Sequence, residues 1–232
     1  MNRSHNEVAV ITGGSAGLGL ALAESLLERG WSVVTDARDP DRLHAAFPDH
    51  PRVTSLAGDV RDPEHQDAIG AAVARHGRLD LLVHNASELG PMLPLAEVPE
   101  PLFTSVLETN LLAPLSLTQR LLPYLIASRG ILLGISSDAA VEHYPTWGTY
   151  AASKAALDHL ILTLGEENGV RAYAVDPGDM RTAMHQAAFP GEDISDRPLP
   201  ESVIPHLLEL LSGVQPTGRY RAADLAPVGA NR

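Results

Sequence analysis

The feature that most constrains this chain is an alternation of short apolar runs with longer stretches of helical periodicity. Glu7–Thr12, Trp31–Thr35, Arg52–Gly58, Leu79–Asn85, Gly130–Ser136 and Gly169–Val175 are runs of strand length. Most lack the polar alternation of a half-exposed strand, which predicts strands buried on both faces. Between them, Gly17–Arg29, Pro63–His76, Thr104–Ile126 and Thr149–Leu164 carry apolar residues at helical spacing. Strand and helix in turn make βαβ units with right-handed crossovers, so the expected class is α/β: a doubly wound parallel sheet in a three-layer αβα sandwich. Glu201–Leu211 reads as a last helix and Gly218–Asp224 as a last strand, for about seven strands.

The 232 residues suit a single domain spanning 1–232. Folding a chain of this size buries roughly 70% of its surface, so no covalent staple is required. There is no cysteine, which excludes disulfides and a thiol nucleophile. The N-terminal apolar run stops at Gly13 and Gly14, too short for a signal peptide or a membrane span. The expectation is a soluble, cytoplasmic protein with no membrane partner. A formal charge of −12 argues against a nucleic-acid partner. No histidine or acid cluster has metal-ligand spacing, so no metal is expected. The proline-rich, acidic stretch Phe189–Pro200 reads as part of a substrate-binding loop near 179–200.

The first strand runs straight into Thr12-Gly13-Gly14-Ser15-Ala16-Gly17-Leu18-Gly19, and a helical pattern follows at once. Glycines at a strand-to-helix turn let backbone approach a pyrophosphate, and free amides at the helix start face its charge. The spacing Gly-x-x-x-Gly-x-Gly is one residue wider than the usual dinucleotide fingerprint.

This turn resembles the TGxxxGxG motif of the short-chain dehydrogenase/reductase family, single-domain NAD(P)-dependent enzymes on a Rossmann fold. The resemblance covers nearly the whole chain and orders further motifs along it. Asp59-Val60 follows the third strand, where the family places an Asp beside adenine. His84-Asn85-Ala86-Ser87 matches NNAG only in its middle two residues. Asn110 lies in the long helix, and Ser137 stands thirteen residues before Tyr150. Tyr150 and Lys154 form Tyr-x-x-x-Lys, and Pro177, Gly178 and Thr182 form PGxxxT. The resemblance implies cofactor contacts at Gly13, Ser15, Gly17, Leu18, Gly19, Ala37, Arg38, Asp59, Val60, Asn85, Ala86, Tyr150, Lys154, Pro177, Gly178 and Thr182. It implies a catalytic set of Asn110, Ser137, Tyr150 and Lys154. The expected activity is that of an NAD(P)-dependent carbonyl reductase or alcohol dehydrogenase, a ketoreductase working on small-molecule carbonyls and alcohols. A homodimer or homotetramer is expected through the two long helices.

On one helix face, Tyr150 and Lys154 sit one turn apart. A phenol titrates near 10, and lowering it by about three units requires roughly 4 kcal/mol. A cation about 6 Å away at an effective dielectric of 20 supplies about 2.8 kcal/mol. The expectation is a tyrosine acidified by Lys154, with Ser137 on the substrate oxygen and Asn110 anchoring a water that relays protons to Lys154.

The end of the second strand carries both cofactor signals. An acid there grips the ribose 2′-hydroxyl of NAD, whereas an Arg favours the 2′-phosphate of NADP. In the family's register Ala37 takes the place of the NAD-type Asp and Arg38 follows it, while Asp36 falls one residue early. NADP(H) is therefore favoured and NAD(H) stays open. Candidate substrate contacts are His143, Tyr144, Trp147 and Asp179. Glu142 and Asp179 would make the entrance acidic, suiting a cationic or polyhydroxylated substrate. Two rivals remain: a nucleotide-dependent dehydratase or epimerase, and a non-catalytic NAD(P)-binding regulator on the same scaffold. The interval from Lys154 to Pro177 is shorter than usual in the family, which predicts a helix from Thr149 that loses most of a turn.

Overall fold

The computed structural model describes residues 7–212 and 215–227. Seven parallel strands form one sheet: β1 (Val8–Ile11), β2 (Ser32–Ala37), β3 (Val53–Ala57), β4 (Leu81–His84), β5 (Ile131–Ile135), β6 (Arg171–Asp176) and β7 (Gly218–Arg221). Their order is β3-β2-β1-β4-β5-β6-β7, with every pairing parallel. The order reverses between β1 and β4, and such a switch point opens a crevice at the carboxyl ends of the strands. Strands β1, β4 and β5 are buried along their whole length, whereas edge strands β3 and β7 are partly exposed. The central runs are thus uniformly apolar because both faces are covered.

Helices fill the two faces: α1 (Gly17–Glu28), α2 (Pro40–Ala46), α3 (Pro63–His76), α4 (Glu100–Leu107), α5 (Ala113–Ala127), α6 (Gly148–Asn168), α7 (Ala183–Ala188) and α8 (Ile204–Leu211). One core layer packs Leu22, Leu26 and Leu207 beneath Ile11, Val83 and Leu133. The other packs Leu117, Leu121, Leu157 and Ile161 against Val10, Leu82 and Leu132. Side chains alternating along each strand feed the two layers in turn.

Several elements differ from the sequence reading. Helix α2 was not expected, although Asp39 caps it by accepting from the Asp41 and Arg42 amides and Pro40 opens it. Its seven residues are too few for periodicity to register. The expected single helix Thr104–Ile126 starts earlier, at Glu100, and is interrupted by a π turn at Glu108–Leu112. Pro114 follows that turn at the start of α5. A proline ring clashes with the carbonyl four residues back, and the wider π turn relieves the clash. Helix α6 runs past Leu164 to Asn168, where Gly169 ends it in the left-handed conformation at φ 63°. Only Gly169 and Val170 separate α6 from β6. The expected loop near 179–200 contains α7, and the last strand stops at Arg221.

Candidate active site

The glycine-rich turn is held by neighbours on β2 and β4. Gly13 and Gly17 adopt φ of 70° and 57°, the left-handed region that favours glycine. A Cβ on Gly14 would stand 2.0 Å from Thr35 Oγ1, and one on Gly19 2.5 Å from Asn85 Nδ2. Thr12 Oγ1 accepts from the Asn85 and Ala86 amides at 3.1 and 3.0 Å. Asn85 Nδ2 donates to the Thr12 and Gly13 carbonyls at 2.8 and 3.1 Å. Its amide group therefore braces the turn. Helix α1 starts with no side-chain cap at Ala16 and no acid in its first turn. Uncapped amides at a helix start suit an anion, so the turn fits a pyrophosphate.

The turn opens onto a cleft of about 500 Å³ that runs along the carboxyl ends of the strands. At one end Ala37, Arg38, Arg42, Asp59 and Val60 line it. Arg42, in the first turn of α2, was missed because that helix was. Asp36 is buried and fully engaged: Oδ1 accepts from the Gly13 amide at 2.7 Å, and Oδ2 lies 3.0 Å from His65 Nε2. Its carboxylate is thus part of the turn's scaffold. Asp59 takes a bidentate contact from Arg61, Nε on Oδ1 and Nη2 on Oδ2, which holds its carboxyl below the usual carboxylate range.

At the other end, Ser137, Tyr150 and Lys154 converge from β5 and α6. Ser137 follows β5 in extended backbone, accepts from the Ala139 amide at 3.2 Å and donates to Asp138 Oδ1 at 3.0 Å. Its own carbonyl accepts from Arg219 Nη2 at 2.8 Å, and Arg219 Nε donates to Asp158 at 2.9 Å. Strand β7 thereby ties the Ser137 segment to α6. Tyr150 is buried and lines the cleft together with Ser137 and Ser87. Lys154 is 1% exposed; its Nζ donates to the Ile135 carbonyl at 2.7 Å and stands 5.5 Å from the Tyr150 ring centroid.

The electrostatics differ from expectation. Burial pushes the Tyr150 phenol above its ordinary value, and the hydroxyls of Ser137 and Ser87 oppose that only partly. Burial also lowers Lys154 to about 8, with Asp158 pulling the other way. Desolvating an ion outweighs one neighbouring charge here. Tyr150 is therefore protonated near neutral pH, the state a proton donor requires.

Asn110 is fully buried within the π turn. Its Nδ2 donates to the Glu88 carbonyl and to Ser153 Oγ, both at 2.9 Å. Its Oδ1 accepts from the Glu88 amide at 2.8 Å and the Ser87 hydroxyl at 3.2 Å. The side chain has no hydrogen to spare for a water. Pro114, four residues on, has no N–H to return to the Asn110 carbonyl.

Of the other sequence candidates, Pro177, Gly178, Thr182, Trp147 and Asp179 line the cleft. Tyr144 stands back from it, donating to Asp138 Oδ2 at 2.8 Å and packing edge-on to Trp147. His143 is exposed and outside the lining. Thr182 caps α7 beside Gly17, and Phe189 at the far end packs 5.9 Å from the Trp147 ring. Helix α7 thus bridges the cleft lengthwise. It brings His185, whose ring lies 4.9 Å from Phe189 and whose Nε2 is buried with no hydrogen-bond partner among the described residues. Asp138 and buried Asp176 also line this end. No spacing in the sequence marks His185, Asp138 or Arg219.

Comparison with known proteins accords with this geometry. The family model for short chain dehydrogenase matches residues 7–193. The oxidoreductase YciK of Escherichia coli (strain K12) is 30% identical over 218 residues, 89% of this chain and 86% of that protein. A cis-2,3-dihydrobiphenyl-2,3-diol dehydrogenase of Pseudomonas sp. (strain KKS102) is 32% identical, over 93% of this chain and 79% of its own length. The structure of a short chain dehydrogenase from Escherichia coli CFT073 complexed with NADPH superposes with a TM-score of 0.86 at 28% identity, covering 95% of this chain and 99% of that one. The chain belongs to the short-chain dehydrogenase family. It is an NAD(P)-dependent oxidoreductase acting on CH–OH and C=O groups. No helix among the described residues is long and apolar enough to cross a membrane.

Proposed function

We propose that this enzyme is an NADPH-preferring carbonyl reductase, and in reverse an alcohol dehydrogenase, in which Tyr150 is the general acid/base. The observation that carries this reading is the convergence of the Ser137 hydroxyl, the protonated Tyr150 phenol and the buried Lys154 at one end of the cleft. A bound nicotinamide supplies the hydride. Tyr150 donates its proton to the substrate oxygen as negative charge develops there, and Ser137 donates a hydrogen bond to the same atom. Lys154, fixed by the Ile135 carbonyl, holds positive charge beneath the phenol and favours the tyrosinate needed for alcohol oxidation. The Asn110 backbone carbonyl is the anchor for a water that returns a proton toward Lys154.

The cofactor preference rests on the opposite end of the cleft. Both Asp36 oxygens are committed within the protein, Ala37 leaves room, and Arg38 and Arg42 offer cations to a 2′-phosphate. The NADPH-bound neighbour supports the same reading. Trp147 and Asp179 line the substrate end, while exposed Leu102, Leu112 and Ile126 suit a homodimer or homotetramer in the cytoplasm.

The test is a fluorescence titration with NADPH and separately NADH, then a screen of ketones and aldehydes for loss of reduced-cofactor absorbance. Tighter NADPH binding and a turnover abolished by Tyr150→Phe are expected. Turnover that survives in Tyr150→Phe refutes the assignment of the acid.

A further inference from the structure

Tyr150, Lys154 and Asp158 follow one another at four-residue intervals on α6, so phenol, ammonium and carboxylate share one face of the helix. A buried lysine one turn from a buried carboxylate has a natural ion-pair partner in it. Here the two go elsewhere. Lys154 Nζ donates to the Ile135 carbonyl at 2.7 Å, while Asp158 Oδ2 accepts from Arg219 Nε at 2.9 Å. Asp158 Oδ1 is buried with no hydrogen-bond partner among the described residues. Arg219, arriving from edge strand β7, also donates Nη2 to the Ser137 carbonyl at 2.8 Å, a group that takes the Ala140 amide at 3.1 Å as well. One guanidinium thus reaches the Ser137 segment and occupies the carboxylate beside Lys154.

We infer that Arg219 is a positioning residue: by engaging Asp158 it keeps Lys154 on the Ile135 carbonyl, beside the Tyr150 ring, instead of in an ion pair one turn further along α6. This role rests on Lys154 serving Tyr150 in the proposed reaction, and it gives a side chain of β7 control over that lysine. Without the guanidinium, Asp158 is a buried carboxylate with no partner, and the ammonium one turn back is the cation within its reach. The other titratable groups facing Lys154 carry no charge near neutral pH: burial, reinforced by Lys154 itself, pushes His84 of β4 down to about 3, and Tyr150 is protonated. Asp158 is the anion that acts on the lysine, opposing the effect of burial.

Lys154 is the only lysine in the sequence, so protein isotope-labelled at the lysine ε-carbon gives one side-chain resonance to follow against pH. The experiment compares wild type, Arg219→Leu, Arg219→Gln, and Arg219→Leu combined with Asp158→Asn, with thermal melts to establish which are folded. Freed from Arg219, Asp158 should raise the titration midpoint of Lys154 by about one pH unit or more, since a close anion favours the charged lysine. Replacing Asp158 as well should return the midpoint to the wild-type value or below. Arg219→Gln keeps an amide donor for the Ser137 carbonyl but brings no charge, so it should move the midpoint in the same direction, and it carries the test if the leucine variant does not fold. A midpoint unmoved in a folded Arg219 variant, or raised equally when Asp158 is replaced, overturns the inference.

Turnover supplies a second readout. Drawing Lys154 from its place should lower kcat for carbonyl reduction about 10- to 100-fold in Arg219→Leu, and adding Asp158→Asn should recover part of that loss. An arginine that only supported the fold would change stability and leave both the midpoint and the kcat of the folded enzyme alone. If the wild type reduces no carbonyl, the reductase reading has failed, and the lysine midpoint then decides Arg219 by itself.

Discussion

Replacing Lys154 with methionine should separate what this residue does for chemistry from what it costs the fold. Its ammonium is 1% exposed, and burial lowers it from 10.5 to about 8. At 1.36 kcal/mol per pH unit that depression amounts to about 3 kcal/mol of destabilisation while the charge is present. Below about pH 8 both the folded and the unfolded chain carry the proton, so the full cost applies. Between about 8 and 10.5 the unfolded chain binds a proton that the folded chain has released, so folding stability rises with pH across that window. Methionine removes this cost but leaves the Ile135 carbonyl without the Nζ donor, a loss of about 1–3 kcal/mol. The two nearly cancel at neutral pH, where Lys154→Met should be as stable as wild type or slightly more so. Above about pH 10.5 only the loss remains, and the variant should be the weaker protein. Urea unfolding of both proteins at a series of pH values reads the difference, and contributions from other groups, Tyr150 included, cancel in it to first order. Turnover should be lost at every pH. A stability difference that stays constant from neutral to alkaline pH would refute the reasoning.

The remaining predictions probe the two ends of the cleft and the turn between them. Arg38→Ala should raise KM for NADPH about 10- to 100-fold, the worth of a charge-assisted hydrogen bond, while leaving KM for NADH nearly unchanged. Equal effects on the two cofactors would sink the 2′-phosphate assignment. Arg42→Ala should act in the same direction, and steady-state kinetics with each cofactor checks both. Tyr150→Phe should lower kcat at least about 100-fold with NADPH affinity intact, because only the transferable proton is lost. Gly14→Ala should destabilise the fold by about 1–3 kcal/mol, since its Cβ would lie 2.0 Å from Thr35 Oγ1. Adding Thr35→Ala should recover part of that loss, as thermal melts would show.

Much of this protein is legible in its sequence, for a local reason. Strand and helix periodicities are written in neighbouring residues, and the handedness of βαβ crossovers turns their order into one sheet topology. The glycine turn and the Tyr150–Lys154 pair are likewise contiguous, so spacing alone puts each on its element, and the motif order points to one family. The thirteen-residue interval that singles out Ser137 relative to Tyr150 is legible too, and both residues line the cleft.

Only the tertiary structure decided how individual polar groups spend their hydrogen bonds, because that depends on which distant elements arrive beside them. Asp36 reads locally as a candidate ribose ligand, yet His65 of α3 and the Gly13 amide claim both its oxygens. Asn110 reads as the anchor of a water, yet the Glu88 segment and Ser153 saturate its side chain. Arg219, far along the chain on β7, reaches back to the Ser137 carbonyl. The acidity of Tyr150 was misjudged for the same reason. Spacing revealed the nearby lysine, but the desolvation that outweighs it is produced by all the elements that close over the site.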